Sequence, residues 1–287
     1  MQRTRPEGNG ETAFMKQVLS ILGKLKGRSW NELRVRGHQQ FAVWAERHRW
    51  SALSRLPTES EFSQLLDPAK IGDGGDAARS PETLLEHFRA RSTPRFFPAF
   101  QQKAETIAVL RERFDGSALA ALLRRAQKLT AGEFDLLGYS KLSFGEPIDW
   151  QLEPVAGKKA PLVHWSRISY LDPGIAGDKK ITWELNRHQY FATLGRAYWR
   201  TGDEQYAQVF ISHLSAWMDR NPPKLGINWA SSLEVSFRAI SWLWALHFFC
   251  HSTHLTPQFL WRVLKFIYLH ARHLETYLST YFTLTRT

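Results

Sequence analysis

The sequence predicts an all-α protein, built of antiparallel helical hairpins that stack into an α/α toroid or a helical solenoid. Three observations carry this. From residue 183 onward, apolar residues recur at helical spacing in successive blocks. Turn residues separate the blocks, at Thr201-Gly202-Asp203 and at Asn221-Pro222-Pro223. Blocks of about 16–24 residues joined by short turns pack as antiparallel neighbours.

The blocks read as follows. Within 204–219 the stripe is Tyr206, Phe210, His213, Leu214 and Trp217; within 229–249 it is Leu233, Phe237, Ile240 and Trp244. Within 258–281 it is Leu264, Ile267, Ala271, Leu274, Leu278 and Tyr281. Upstream, residues 82–91 and 101–129 read as helical, joined by the Pro-bounded TPRFFPAF of 93–100. Residues 133–182 break the pattern. They are rich in Gly, Pro, aromatics and turn pairs, and predict a long structured excursion with short extended pieces.

The N-terminal third is basic and helical over about 12–65. Gly72, Gly74 and Gly75 between Pro68 and Pro81 mark 67–82 as a flexible linker, dividing a basic region, 1–66, from the main body, 83–287. Near the start, Phe14, Val18, Ile21, Leu22 and Leu25 fall at helical spacing, interrupted by Lys16, Lys24 and Lys26. That excludes an unbroken signal-peptide core and leaves a membrane-surface helix or a helix packed on its own domain. No segment has the roughly 18–20 apolar residues of a membrane span.

The 287 residues carry a formal charge of +11 and 12 Trp. A basic surface concentrates anionic partners, and a Trp face packs on the apolar side of a sugar ring as readily as in a core. The single cysteine, Cys250, rules out an internal disulfide and a cysteine-based zinc cluster. No phosphate-cradling glycine loop, nucleophile elbow or dinucleotide fingerprint is present, so no cofactor is expected. The basic residues form no known nucleic-acid module.

Two motifs can carry chemistry. The first is Trp183-Glu184-Leu185-Asn186-Arg187-His188-Gln189, read at the start of a helix. There Asn186, Arg187 and His188 can bind a carboxylate or sulfate, helped by the arginine fork and the helix dipole. Equally, the motif can be a capped helix start with a satisfied internal histidine. The second runs from Gly226 to Arg238 and includes Asn228, Trp229, Ser231 and Glu234, with Ser241 near the same face. Glu234 and Arg238 stand i,i+4 and are placed to pair, either lining a groove or fixing helix register. His247 and His251 share a face without an acidic third ligand. His270 and His273 suit a groove-lining or surface role.

At these motifs the chain resembles a known family. The runs FDLLGYSKLSFGEPIDWQLEPVAGKKAPLVHWSRISYLD, ITWELNRHQYFATLGRAYWRTGDEQYA and NPPKLGINWASSLEVSFRAISWLWAL are similar to the N-terminal domain of heparinase II/III-type polysaccharide lyases, over about 130–282. Residues 20–50 resemble its basic leading helix more weakly. The resemblance implies an incomplete α/α toroid followed by a β-sandwich domain, with the substrate groove between them. It implies β-elimination on a uronic-acid-containing, anionic polysaccharide, as in alginate or heparin-sulfate lyases, often encoded among bacterial exopolysaccharide genes and acting outside the cytoplasm. Its substrate-binding set here is Asn186, Arg187, His188, Asn228, Trp229, Glu234 and Arg238.

The family's carboxylate-neutralising Asn, with a neighbouring His, sits in a segment like S-P-N-T-H-L-T-G-E. A Tyr base and a second His follow. Here Tyr281-Phe282 is followed instead by Thr283-Leu284-Thr285-Arg286-Thr287. One base lost from TTC AGC CCT AAC ACG CAC CTG A gives TTC ACC CTA ACA CGC ACC TGA, which encodes that tail and a stop. The expectation is a frameshift-truncated lyase toroid, without the expected catalytic residues and inactive alone. Two other readings remain: a non-catalytic binder of anionic glycans, and a helical scaffold with no sugar role.

Overall fold

A computed structural model describes residues 28–71, 79–91, 96–114 and 116–279. The amphipathic stretch at Phe14–Leu25, the glycines of the linker and the tail after Phe282 lie outside the described residues. The helices are α1 (Trp30–Arg47), α2 (Glu59–Leu65), α3 (Pro81–Ala90), α4 (Pro98–Gln101), α5 (Lys103–Arg113), α6 (Gly116–Thr130), α7 (Pro173–Ala176), α8 (Lys179–Asn186), α9 (Tyr190–Thr201), α10 (Gln205–Arg220), α11 (Ser232–Phe248) and α12 (Pro257–Tyr277). The protein is therefore mostly helical, and α9 to α12 form the antiparallel hairpins of a partial toroid.

Local chemistry sets the boundaries. Ser29, Thr58, Ser80 and Thr256 each accept a backbone N–H in the first turn of α1, α2, α3 and α12. Pro81 and Pro257 open their helices, where a missing N–H costs nothing. Gly202 ends α9 in the left-handed region at φ 75°. The hairpins meet in an apolar core of Phe191, Leu194, Phe210, Leu214, Trp217, Trp242, Ala245, Phe249, Val263 and Phe266. Close approach is built in: a Cβ on Gly195 would lie 2.3 Å from the Phe248 ring, so α9 and α11 touch only because residue 195 has no side chain.

The excursion contains the expected short extended pieces. Strands β1 (Phe134–Leu136) and β2 (Tyr139–Leu142) form one antiparallel pair, and β3 (Leu152–Glu153) and β4 (Lys158–Lys159) another. A 3-10 turn follows at Trp165–Arg167. Among the described residues, the remaining β pairing is one bridge, His164 to Leu225, which ties the excursion to the second motif.

The structure corrects three expectations. The stripe of α10 is buried at Tyr206, Phe210, Leu214 and Trp217, as its spacing indicates. In α11, however, Leu233 and Ile240 are 59% and 52% exposed, and the inward face carries Val235, Arg238, Ser241, Trp242 and Ala245. In α12, Ala271 and Leu278 are exposed, while Phe259, Val263, Phe266, His270 and His273 point inward. Both helices are apolar around much of their circumference, so periodicity does not choose the buried face. The inward faces also hold polar groups that a hydrophobic stripe passes over. Third, His270 and His273 are buried, not on the surface.

Candidate functional site

The first motif does not open a helix. Asp178 caps α8, so Trp183 to Asn186 form its last turn and Arg187 is its C-cap. His188 then adopts a left-handed backbone at φ 57°, and Tyr190 opens α9. Arg187 therefore stands at the negative end of the α8 dipole and not in a first helical turn, and the motif's last residue, Gln189, is the N-cap of α9. The start was hidden because Asp178-Lys179-Lys180 sits within the irregular excursion.

The junction brings both motifs together around Trp150. The Asn186 amide donates to the Trp150 carbonyl (2.9 Å) and the Thr182 carbonyl (2.7 Å), and its oxygen accepts from Trp217 Nε1 (2.7 Å). Asn228 donates to the same Trp150 carbonyl (3.2 Å) and to Asn221 Oδ1 (2.8 Å). Gly226, two residues earlier, packs against the Gln151 side-chain amide: it has φ 85°, and a Cβ there would stand 2.9 Å from the Gln151 amide oxygen. His188 Nδ1 accepts from Trp242 Nε1 (2.8 Å).

Arg238 is fully buried. Its guanidinium lies 4.6 Å from the Trp217 ring centre and 5.9 Å from that of Trp229, and donates to the Asn228 carbonyl (2.8 Å) and His270 Nε2 (3.4 Å). Burial lowers its pKa to about 9, partly offset by the Glu234 charge, so it remains a cation at neutral pH. The expected Glu234–Arg238 pair does not form. Glu234 gives both oxygens to Arg187, at 2.6 Å from Nε and 3.0 Å from Nη2. Arg187 also bonds Glu184 at 2.5 Å and lies 4.9 Å from the Phe237 ring centre. The bidentate geometry prefers the planar fork of Arg187 across the helix pair to an i,i+4 reach within α11.

Sequence reading missed a further buried cluster. Lys224 Nζ donates to Glu46 Oε1 (2.8 Å) and to His273 Nδ1 (2.9 Å), and Trp165 Nε1 donates to the other Glu46 oxygen (3.3 Å). Burial raises the Glu46 carboxyl pKa, but the His164 hydrogen bond and the Lys224 charge outweigh this and hold it below its usual range. Burial lowers the Lys224 amine, with Glu46 opposing. Some signal was available: Glu46 is the one acid among the arginines and histidines of 34–49, and Lys224 stands two residues before the second motif.

Of the candidate residues, Asn186, His188, Asn228, Trp229 and Arg238 are buried to 1% exposure or less, and Glu234 to 3%. Arg187 retains 24% side-chain exposure and is the one that reaches solvent. Its partner Glu184 lines, with Arg125, Lys128, Glu133, Asp135 and Tyr190, a cleft of about 410 Å³ in which Lys128 pairs with Asp135. His188, His270 and His273 have pKa values well below the ordinary range, first because they are desolvated and then because cations stand nearby. Each accepts a hydrogen bond from a donor-only group, which requires a neutral ring. Elsewhere, His247 stacks on Phe96 at 4.0 Å, and His251 is exposed.

The helical-hairpin body encloses a buried polar seam in which Arg238 and Lys224 stand with Glu46 and Glu234, and comparison with known proteins gives the lineage. Residues 61–285 match the family model of the heparinase II/III N-terminus, and the chain belongs to that family. The chain is 27% identical over 224 residues to a heparin-sulfate lyase of Pedobacter heparinus, covering 76% of this chain and 30% of the relative. A heparin-sulfate lyase of Bacteroides stercoris is 26% identical, covering 71% and 28%. The crystal structure of the heparan sulfate lyase from Pedobacter heparinus superposes with a TM-score of 0.54 at 26% identity, covering 74% of this chain and 29% of that one. The chain thus spans about 30% of the length of the curated relatives it matches.

Proposed function

We propose that these residues are the N-terminal toroid portion of a polysaccharide lyase acting by β-elimination on a uronic-acid-containing, anionic polysaccharide. The observation that carries this reading is the family match over 61–285, which includes both motifs. In such a reaction a base removes the proton α to the uronate carboxylate, and the developing enolate-like charge must be neutralised. We assign Asn186, Arg187, His188, Asn228, Trp229, Glu234 and Arg238 to substrate binding in two layers. Arg187, steered by Glu184 and Glu234, meets the sugar. The buried members hold the α8–α9 junction and the start of α11 in register. The division into a basic region 1–66, a linker 67–82 and a toroid 83–287 belongs to the same reading.

Alone, the chain is expected to bind acidic polysaccharide without cleaving it. The test is ultraviolet absorbance of the unsaturated product during incubation with heparan sulfate and with alginate. No absorbance gain together with measurable binding supports the reading. Sustained product formation overturns the inactivity, and absence of binding to either polymer overturns the substrate class. Anionic-glycan binding without a catalytic parent is the second reading, supported by the formal charge of +11; lyase activity on a uronate polysaccharide in any longer protein that contains these residues eliminates it.

A further inference from the structure

We propose that the outer face of α1 and the turn after it form a second platform for the acidic polysaccharide, separate from Arg187 and the cleft beside its partner Glu184. α1 is two-sided. Glu46 anchors its inner side to Lys224 and Trp165. On the opposite side Phe41, Trp44 and Trp50 are 65%, 40% and 74% exposed, and Arg47, His48 and Arg49 are exposed beside them.

The rings are ordered against one another. Trp44 meets Trp50 edge-on at 4.8 Å, Phe41 at 5.8 Å and His48 at 4.9 Å. The turn is held by its backbone: Trp50 N–H donates to the Ala45 carbonyl (2.9 Å) and Arg49 N–H to the Glu46 carbonyl (3.1 Å). Arg49 adopts φ 59°, a left-handed conformation that is unfavourable for a non-glycine residue. That turn brings the Trp50 ring back onto Trp44 and leaves its outer face in water.

The chemistry selects the occupant. Between 28 and 50 there are five Arg and two Glu, and Glu46 is buried inward, so the outer patch is cationic. Flat aromatic faces pack on the apolar side of pyranose rings, while arginine forks take carboxylates and sulfates. Charge and rings together match an acidic sugar chain, and a neutral glycan would use only half of the patch. Two separated contacts on one polymer raise its effective concentration at the cleft.

This platform rests on the polysaccharide reading above, and the test separates the two. Binding of heparan sulfate to the 287-residue chain is measured by calorimetry for the wild type, R47Q/R49Q, W50A and Arg187→Lys, with dextran and phosphatidylglycerol vesicles as comparison probes. R47Q/R49Q is expected to weaken heparan sulfate binding about tenfold and W50A about threefold, with unchanged urea midpoints. Dextran is expected to bind neither variant nor wild type, and any vesicle binding through the overall positive charge is expected to be alike in wild type and R47Q/R49Q. Unchanged affinity in R47Q/R49Q and W50A, with a loss in Arg187→Lys, overturns the platform and leaves the cleft standing. Vesicle binding that is lost in R47Q/R49Q assigns the patch to lipid and overturns the platform. No heparan sulfate binding by the wild type overturns both.

Discussion

The two ends of the α11–α12 pair are built on opposite principles. Toward the C-terminal half of α11, Trp242, Ala245 and Phe249 pack with Val263 and Phe266 in a buried apolar core. Toward its N-terminal half, the same helices enclose Arg238, His270 and His273 near Lys224 and Glu46. Apolar burial contributes about 25 cal/mol per Å². A buried ion pair recovers at best what desolvation takes away. The first region therefore supplies stability, and the second fixes geometry at the place where the two sequence motifs converge.

The largest effect that breaks this comparison is expected in the apolar half. Phe210→Ala removes a fully buried ring, and urea unfolding should show a loss of about 3–5 kcal/mol. A similar loss would come from Glu46→Ala for a different reason, because it strands Lys224 without a counter-charge at about 3–5 kcal/mol. The double variant Glu46→Ala/Lys224→Met sharpens the contrast: it should recover most of that loss, whereas no second substitution of that kind rescues Phe210→Ala.

Acid is expected to act on the polar end. His188, His270 and His273 have depressed pKa values in the folded state, so the unfolded chain binds protons more readily. Their contribution is fully present above the unfolded value of about 6.5 and is lost as pH falls below it, by up to about 1.4 kcal/mol per pH unit per imidazole. Urea midpoints at successive pH values should decline below pH ~6.5, and His270→Phe should flatten the decline. The smallest effect is expected on the exposed stripe, where Ile240→Lys should shift stability by less than about 0.5 kcal/mol. A larger loss would mean that this face is covered in solution.

The same contrast explains what was legible in the sequence. The hairpins and the α10 face were readable because Tyr206, Phe210 and Leu214 are apolar side chains buried at helical spacing. The inward faces of α11 and α12 were not, because Arg238, Ser241, His270 and His273 look like surface residues to any hydrophobic period. The residues of the two motifs were identifiable, but not their partners. Glu234 was placed with Arg238, four residues away, and bonds Arg187 from another helix instead. Glu46 lies so far upstream of Lys224 that no local spacing joins them. Long-range polar pairing is set by tertiary geometry, which a single sequence encodes only through the fold as a whole.

The central claim is that the buried polar seam is kept for ligand geometry and not for stability. Arg238→Met tests it most directly, because it keeps the volume against Trp217 and Trp229 and removes the charge. Urea stability and heparan sulfate affinity are measured on the same protein. The account predicts unchanged or higher stability with affinity reduced about tenfold. A variant that loses several kcal/mol of stability and binds heparan sulfate as the wild type does would contradict it.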